Sequence, residues 1–175
     1  MKHSILVAYA TKHGSTREVA EVIGETLRQQ KLAVDVRSAG QVADVGTYDG
    51  VVLGGALYLG HLHRDARSFL ARHRKGLGER PLAIFAIGPR TLEEADVEES
   101  RKQLEHDLAK APGIDPFEIA IFGGVISPEK LRFPFKRMPA SDARDWEAID
   151  AWAEIVVAEL VTAGAGDRAI VGHVV

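Results

Sequence analysis

Residues 4–16, SILVAYATKHGST, constrain this chain more than any other stretch of it. Ile5, Leu6, Val7, Ala8 and Tyr9 form an apolar run of strand length that stops at a cluster of Thr, His, Gly, Ser and Thr. A helical pattern follows at once, with Val19, Ala20, Ile23 and Leu27 on one face. Strand, hydroxyl-rich loop and helix together build an anion site. The helix N-terminus offers unpaired N–H groups and a partial positive charge. Thr11, Ser15 and Thr16 add hydroxyl donors, and Gly14 lets the backbone turn tightly around a phosphate. A phosphorylated ligand is expected here.

Several phosphate loops are excluded. A dinucleotide fingerprint needs three closely spaced glycines, whereas Gly14 stands alone until Gly24. A triphosphate loop ends in G-K-[ST], and here Lys12 precedes the glycine. A phosphoacceptor receiver would carry carboxylates after the first strand, where this chain reads Tyr9-Ala10-Thr11; with no Cys, a cysteine phosphatase is impossible. A monophosphate held by neutral hydroxyls and amides remains.

The rest of the chain alternates between strand and helix patterns. Residues 33–37 read as a second strand, and residues 40–48 as no more than a turn or so of helix. Residues 49–56 form a near-continuous apolar strand of the kind covered on both faces. Ala66, Phe69, Leu70 and His73 give a helical stripe, 82–87 a strand, and 91–110 a helix with acids at its start. Residues 117–126 read as a fifth strand and 142–162 as the last helix, with Ile149, Ala153, Val156 and Leu160 inward. These elements predict an α/β fold: a doubly wound five-stranded parallel sheet of order 2-1-3-4-5. One domain over 1–163 is expected, with residues 164–175 a tail of no assigned structure. Ligands on such sheets bind beyond the carboxyl ends of strands one and three, which here means loops 11–16 and 57–63. Gly54, Gly55, Gly88, Gly123 and Gly124 fall late in strands, where they serve either close packing or the approach of a flat ring.

Composition narrows the class. At 175 residues and 46% hydrophobic the chain is an ordinary globular length and mix. It has no apolar run of membrane-span length, and Met1-Lys2-His3 leads into a strand without a signal-peptide layout. A net charge of −3 argues against a nucleic-acid partner. The lack of Cys fits a cytoplasmic setting. Nothing in the sequence sets an oligomeric state.

The first loop, Thr11-Lys12-His13-Gly14-Ser15-Thr16, resembles the flavodoxin signature [ST]-x-x-G-x-T after a strand ending in an aromatic. The resemblance extends to GGALYLGHLH at 54–63 and is greatest to the flavodoxin-type, menaquinone-dependent protoporphyrinogen IX dehydrogenases; it runs from about residue 5 to 160. It implies a flavodoxin-like fold and FMN as cofactor. The phosphate would lie on Thr11, Lys12, His13, Gly14, Ser15 and Thr16. The ring would lie near Ala56, Leu57, Tyr58, Leu59, Gly60 and His61, with Gly88, Pro89 and Arg90 beside it. It implies a quinone or a redox protein as partner, and names no catalytic acid or base.

Other residues admit two readings each. Tyr58 is either a flavin-stacking aromatic or a half-buried packing residue. His61-x-His63-x-Asp65 opens like a metallohydrolase cluster, but Ala66 takes the last His position, so no metal is expected. Trp146 and Trp152 read as packing residues of the last helix. The ring-side loops bring Arg64, Arg90 and several His close, unlike the acidic surroundings of shuttle flavodoxins. Cations there raise a flavin's potential, by about 1–4 kcal/mol per close charge at surface dielectrics. That favours an enzyme passing electrons to a quinone over a low-potential electron carrier, which is the alternative. A flavin-free binding domain is a third reading. After the fifth strand the dehydrogenases carry a long basic, apolar insertion, where this chain has only SPEKLRFPFKRMPASD. Its Arg132, Phe133, Phe135, Lys136 and Arg137 are either a weak, peripheral contact with the inner membrane face or a crossover loop with Phe tucked under the last helix.

Overall fold

The apolar strands expected from the sequence assemble edge to edge. The computed structural model describes residues 3–171. β1 (Ser4–Ala10) is followed by α1 (Ser15–Gln29), β2 (Ala33–Ser38), a 3-10 turn at Ala39–Gln41, β3 (Gly50–Tyr58) and a two-residue β4 (His61–Leu62). Then come α2 (Arg64–Arg72), α3 (Arg74–Gly78), β5 (Leu82–Ile87), α4 (Glu94–Leu108) and β6 (Glu118–Phe122). A short ladder of β7 (Val125–Ile126) and β8 (Ser141–Asp142) precedes α5 (Trp146–Val171). The parallel strands run β2-β1-β3-β5-β6, with β4 folded back antiparallel on β3. Counting the parallel strands alone, this is the expected order 2-1-3-4-5, with a flavodoxin-like doubly wound sheet.

Strand alternation sorts the core into two layers. Ile5, Val7, Val52, Phe85 and Ile87 pack with α1 and α5, against Val19, Ile23, Leu27, Ile149, Val156 and Leu160. Leu6, Ala8, Val51, Leu53, Ile84 and Ala86 pack on the other face, against Phe69, Leu70 and Leu104 of α2 and α4. Phe85, Phe122 and Trp152 meet tilted or edge-on at centroid distances of 5.7–6.0 Å, fixing α5 under β5 and β6. Such aromatic contacts contribute about 0.5–1.5 kcal/mol each beyond their buried area.

Several boundaries differ from expectation, each for a local reason. The fifth strand ends at Phe122, because a Cβ at Gly123 would stand 1.9 Å from the Ala143 carbonyl oxygen. There the chain leaves the sheet, and Val125 pairs with Asp142 instead. Asp142 therefore does not open the last helix. Asp145 does, its carboxylate accepting the Ala148 N–H at 3.0 Å. The helix at 91–110 shortens to Glu94–Leu108 because the Thr91 hydroxyl accepts the Glu93 N–H at 3.3 Å and holds 91–93 in a turn. α5 continues past residue 164 to Val171, and residues 172–175 of the expected tail lie outside the described residues. Trp152 is a core residue as expected; Trp146 is not, being exposed beneath the Arg144 guanidinium at 4.6 Å. The strand glycines serve packing: a Cβ at Gly54 would meet the Phe85 ring at 2.0 Å, and one at Gly55 would meet Leu62 at 2.6 Å.

Candidate functional site

Gly14 takes the left-handed conformation (φ 97°) that a side chain resists, and from it α1 starts. The Thr11 hydroxyl accepts the Gly14 N–H at 2.9 Å, and the first helical bond runs from Glu18 N–H to the Gly14 carbonyl at 3.1 Å. The amides of Ser15, Thr16 and Arg17 thus precede the first bonded donor and are free for an anion. Thr16 is fully buried, and its hydroxyl has no hydrogen-bond partner among the described residues. A buried, unmade hydrogen bond costs about 1–3 kcal/mol, so its placement under an anion loop is informative. His13, in the same loop, is held below the ordinary histidine range by burial and then by the charges of Lys12 and Lys130. Lys130 also donates to the His13 carbonyl oxygen at 3.2 Å, tying the loop to the segment after β7.

The second loop is a hairpin. Tyr58 pairs with His61 and Leu57 with Leu62, leaving Leu59-Gly60 as a two-residue turn with φ of 49° and 82°. Both are left-handed, as the hairpin's right-handed strand twist favours. Leu59 is an unusual occupant of that conformation and is 80% exposed. A carboxylate from α4 anchors the hairpin: Asp107, its side chain wholly buried, accepts the Leu62 N–H at 2.8 Å. Asp107 also meets His61 Nδ1 at 3.3 Å and Lys110 Nζ at 3.0 Å. Burial pushes the Asp107 carboxyl up, but the Leu62 amide, Lys110 and His61 together hold it below its usual value, so it is ionised. Arg67 Nε donates to the Leu62 carbonyl at 3.0 Å. His63 and Asp65 have a helix-capping relation, the Asp65 N–H bonding His63 Nδ1 at 3.1 Å.

The third loop closes through backbone bonds. The Gly88 N–H reaches the Phe122 carbonyl at 3.1 Å, and the Gly124 N–H reaches Pro89 at 2.7 Å. A Cβ at Gly88 would stand 2.8 Å from Leu57, so this glycine too is a packing position.

These three loops surround a cavity of about 670 Å³ beyond the carboxyl ends of β1, β3 and β5. Of the residues expected to hold a cofactor, Thr11, Lys12, His13, Ser15, Ala56, Leu57, Tyr58, Leu59, His61, Gly88 and Arg90 line it. Gly14, Thr16, Gly60 and Pro89 lie in the same loops but not on its wall. Tyr58 is half-exposed, with Lys12 Nζ 5.1 Å above its ring. Among the described residues, four basic side chains, Lys12, Arg64, Arg67 and Arg90, line the cavity, and no carboxylate does. Its far wall is apolar: Val125, Ile126, Leu131 and Met138 from the segment after β6.

Sequence reasoning missed Asp107, Arg67 and that far wall. Asp107 sits with Ser100 and Leu104 on the buried stripe of α4, at i, i+4 and i+7. An acid at an apolar-stripe position was the available signal. Beside the first loop lies a polar cavity of about 280 Å³. There Arg144 is gripped by Asp142 at 2.7 Å and by Glu18, which hold the guanidinium firmly protonated and the Asp142 carboxyl below its usual value.

A hydroxyl-lined loop at a helix N-terminus, set at the switch point of a doubly wound sheet, defines the class of α/β proteins that bind phosphorylated ligands at that crevice. Residues 6–139 match the model of the Flavodoxin domain family, and the chain belongs to it. An 84-residue stretch is 27% identical to protoporphyrinogen IX dehydrogenase [quinone] of Escherichia coli (strain K12), covering 47% of this chain and 46% of that protein. The chain thus matches about half the length of this curated relative. Among solved structures, oxidised Flavodoxin 2 from Bacillus cereus superposes with a TM-score of 0.59 at 24% identity, covering 89% of this chain and 98% of that one. A flavoprotein in complex with FMN from Lactobacillus acidophilus gives a TM-score of 0.51 at 13% identity, covering 69% and 93%. These two likenesses concern the fold. Family membership implies a flavin as the bound group.

Proposed function

We propose that this chain is an FMN-dependent oxidoreductase that passes electrons from an organic substrate to a quinone, most like the protoporphyrinogen IX dehydrogenases. The observation that carries the reading is the cavity's lining of four cations and no carboxylate, over an apolar far wall. A low-potential carrier disfavours positive charge at the flavin; a quinone-reducing enzyme gains from it, and an apolar wall suits a quinone ring.

The residues present fit FMN. The free first-turn amides and the Thr11, Ser15 and Thr16 hydroxyls supply donors for a phosphate, with Thr16 otherwise unpaired. A cavity of about 670 Å³ lies within the range of small-molecule sites. When bound, FMN supplies the electron transfer, and the protein supplies binding, orientation and electrostatics. Lys12 and Arg90 face added negative charge, Tyr58 presents an aromatic face, and the apolar wall excludes water.

The carrier reading retains support from the likeness to whole flavodoxins. Two measurements separate the readings. Protein as purified should be yellow or take up FMN on titration; a colourless protein that binds none overturns the proposal. The reduced protein should then be reoxidised rapidly by menaquinone analogues. Slow reoxidation by quinones beside rapid transfer to a redox protein assigns the chain as a carrier.

A further inference from the structure

We infer that His61 is a proton relay for the cavity and that Asp107 is the residue that positions it, an inference that rests on the quinone-reducing reading above. The imidazole of His61 is half-exposed and lines the cavity, while its Nδ1 meets the buried Asp107 carboxylate at 3.3 Å. An anion on Nδ1 fixes the tautomer, with the proton on Nδ1 and Nε2 left to exchange with the cavity and with water. Asp107 is itself fixed by the Leu62 N–H at 2.8 Å and Lys110 at 3.0 Å, so the imidazole is held rather than free to swing. A hairpin that needed only an anchor would be served by the Leu62 bond; the contact to a half-exposed ring is additional.

The chemistry of the site calls for such a group. Reducing a quinone to a quinol takes two electrons and two protons. The flavin that family membership implies would supply the electrons, and the organic substrate that reduces it releases two protons to water, which balance the two the quinone takes up. His61 gives one proton from Nε2 to a quinone oxygen, is left neutral, and regains a proton from water through its exposed half; a second turn of the relay supplies the other proton.

Every charged neighbour bears on the balance. Asp107 places a carboxylate on His61 Nδ1, and Lys110 and the His106 ring, 6.4 Å from His61, stand on the α4 side. Tyr58 faces His61 across the hairpin. Lys12, Arg64, Arg67 and Arg90 add positive charge around the same cavity, offset by Asp107 under the hairpin and by Asp65, whose carboxylate lies 3.7 Å from Arg64.

The test uses full-length protein saturated with FMN and two variants, His61→Gln and Asp107→Asn. Glutamine is close to histidine in size and polarity but carries no titratable charge. Reoxidation by a menaquinone analogue should slow at least tenfold in His61→Gln and lose its dependence on pH between 5 and 8. In Asp107→Asn, the ring nitrogen shifts of His61 followed by NMR should show the single Nδ1–H tautomer giving way to a mixture, a readout that hairpin anchoring alone does not move. If His61→Gln matches the unaltered protein in rate and pH profile, or if the His61 tautomer is unchanged in Asp107→Asn, the relay is overturned. If the unaltered protein reduces no quinone at all, the functional reading fails and takes the relay with it.

Discussion

Thr16 combines two properties rarely found together: complete burial and a hydroxyl without a partner. In the free protein it costs stability, since an unmade buried hydrogen bond is worth about 1–3 kcal/mol. Replacing Thr16 with Val removes the hydroxyl at nearly constant shape. The apoprotein should then melt higher, while FMN binding weakens about tenfold, because a hydrogen bond to a charged group is worth about 1.5–3 kcal/mol. Calorimetry of the apoprotein and FMN titration read the two signs separately, and a Val variant that binds FMN as well as before removes Thr16 from the site. Titration gives a second expectation at this scale. His13 and His73 are both held below the ordinary histidine value, chiefly by burial, with Lys12 and Lys130 adding to the one and Arg72 to the other. The unfolded chain therefore binds more protons than the fold near pH 6, and stability should fall as pH drops below about 6.5. Asp107 and Asp142 are held below the usual carboxylate value, so their contribution is present above about pH 4 and lost only on further acidification. Melting temperature against pH should show both declines, and His13→Gln with His73→Gln should flatten only the first.

At the level of elements, the first loop was legible because everything it needs is local. Strand, Gly14 and helix N-terminus are consecutive in the chain, and a period-3.6 stripe marks the helix face. The hairpin was half legible: its aromatic and histidines stand out, but the residue that anchors it is 45 positions away on α4. The stripe of Ser100, Leu104 and Asp107 on α4 marks Asp107 as inward-facing, but no local pattern reports that it reaches the hairpin. The start of α5 differs from the expected 142 for a similar reason, since Arg144 and the Val125 ladder hold Asp142 outside the helix. Leu59 breaks a local rule, with a left-handed backbone that costs roughly 1–2 kcal/mol for a residue with a side chain. Such rule-breaking concentrates at functional sites. Asn-Gly is the favoured pair for this turn, so Leu59→Asn should raise unfolding free energy by about 1 kcal/mol. If Leu59 covers the cavity mouth, the same change should speed FMN release. A variant that is both more stable and unchanged in flavin off-rate assigns Leu59 no part in the site.

The whole molecule separates charge in a way its net value of −3 conceals. Acids crowd the start of α4, whereas the cavity and the segment that forms its far wall are basic. No helix among the described residues is long and apolar enough to cross a membrane. The segment nevertheless presents Phe133 at 82% exposure beside exposed Arg132, Lys136 and Arg137, which rules out a Phe133 tucked under α5. The side chain of Phe135 lies outside the described residues. Leu131 and Met138, which bracket this stretch, line the cavity itself, so a surface met by Phe133 would adjoin the cavity. Each basic residue near an anionic bilayer contributes about 1 kcal/mol, and one inserted ring adds apolar contact. The sum supports weak association that salt screens, well short of anchoring. Pelleting with anionic vesicles should therefore retain a fraction of the protein at low salt and lose it as ionic strength rises. Lys136→Glu with Arg137→Glu should lose it at every salt concentration, and Phe133→Ser should reduce it without changing the salt dependence. Equal, negligible pelleting of all forms would leave the segment as a wall of the cavity with no role at a bilayer.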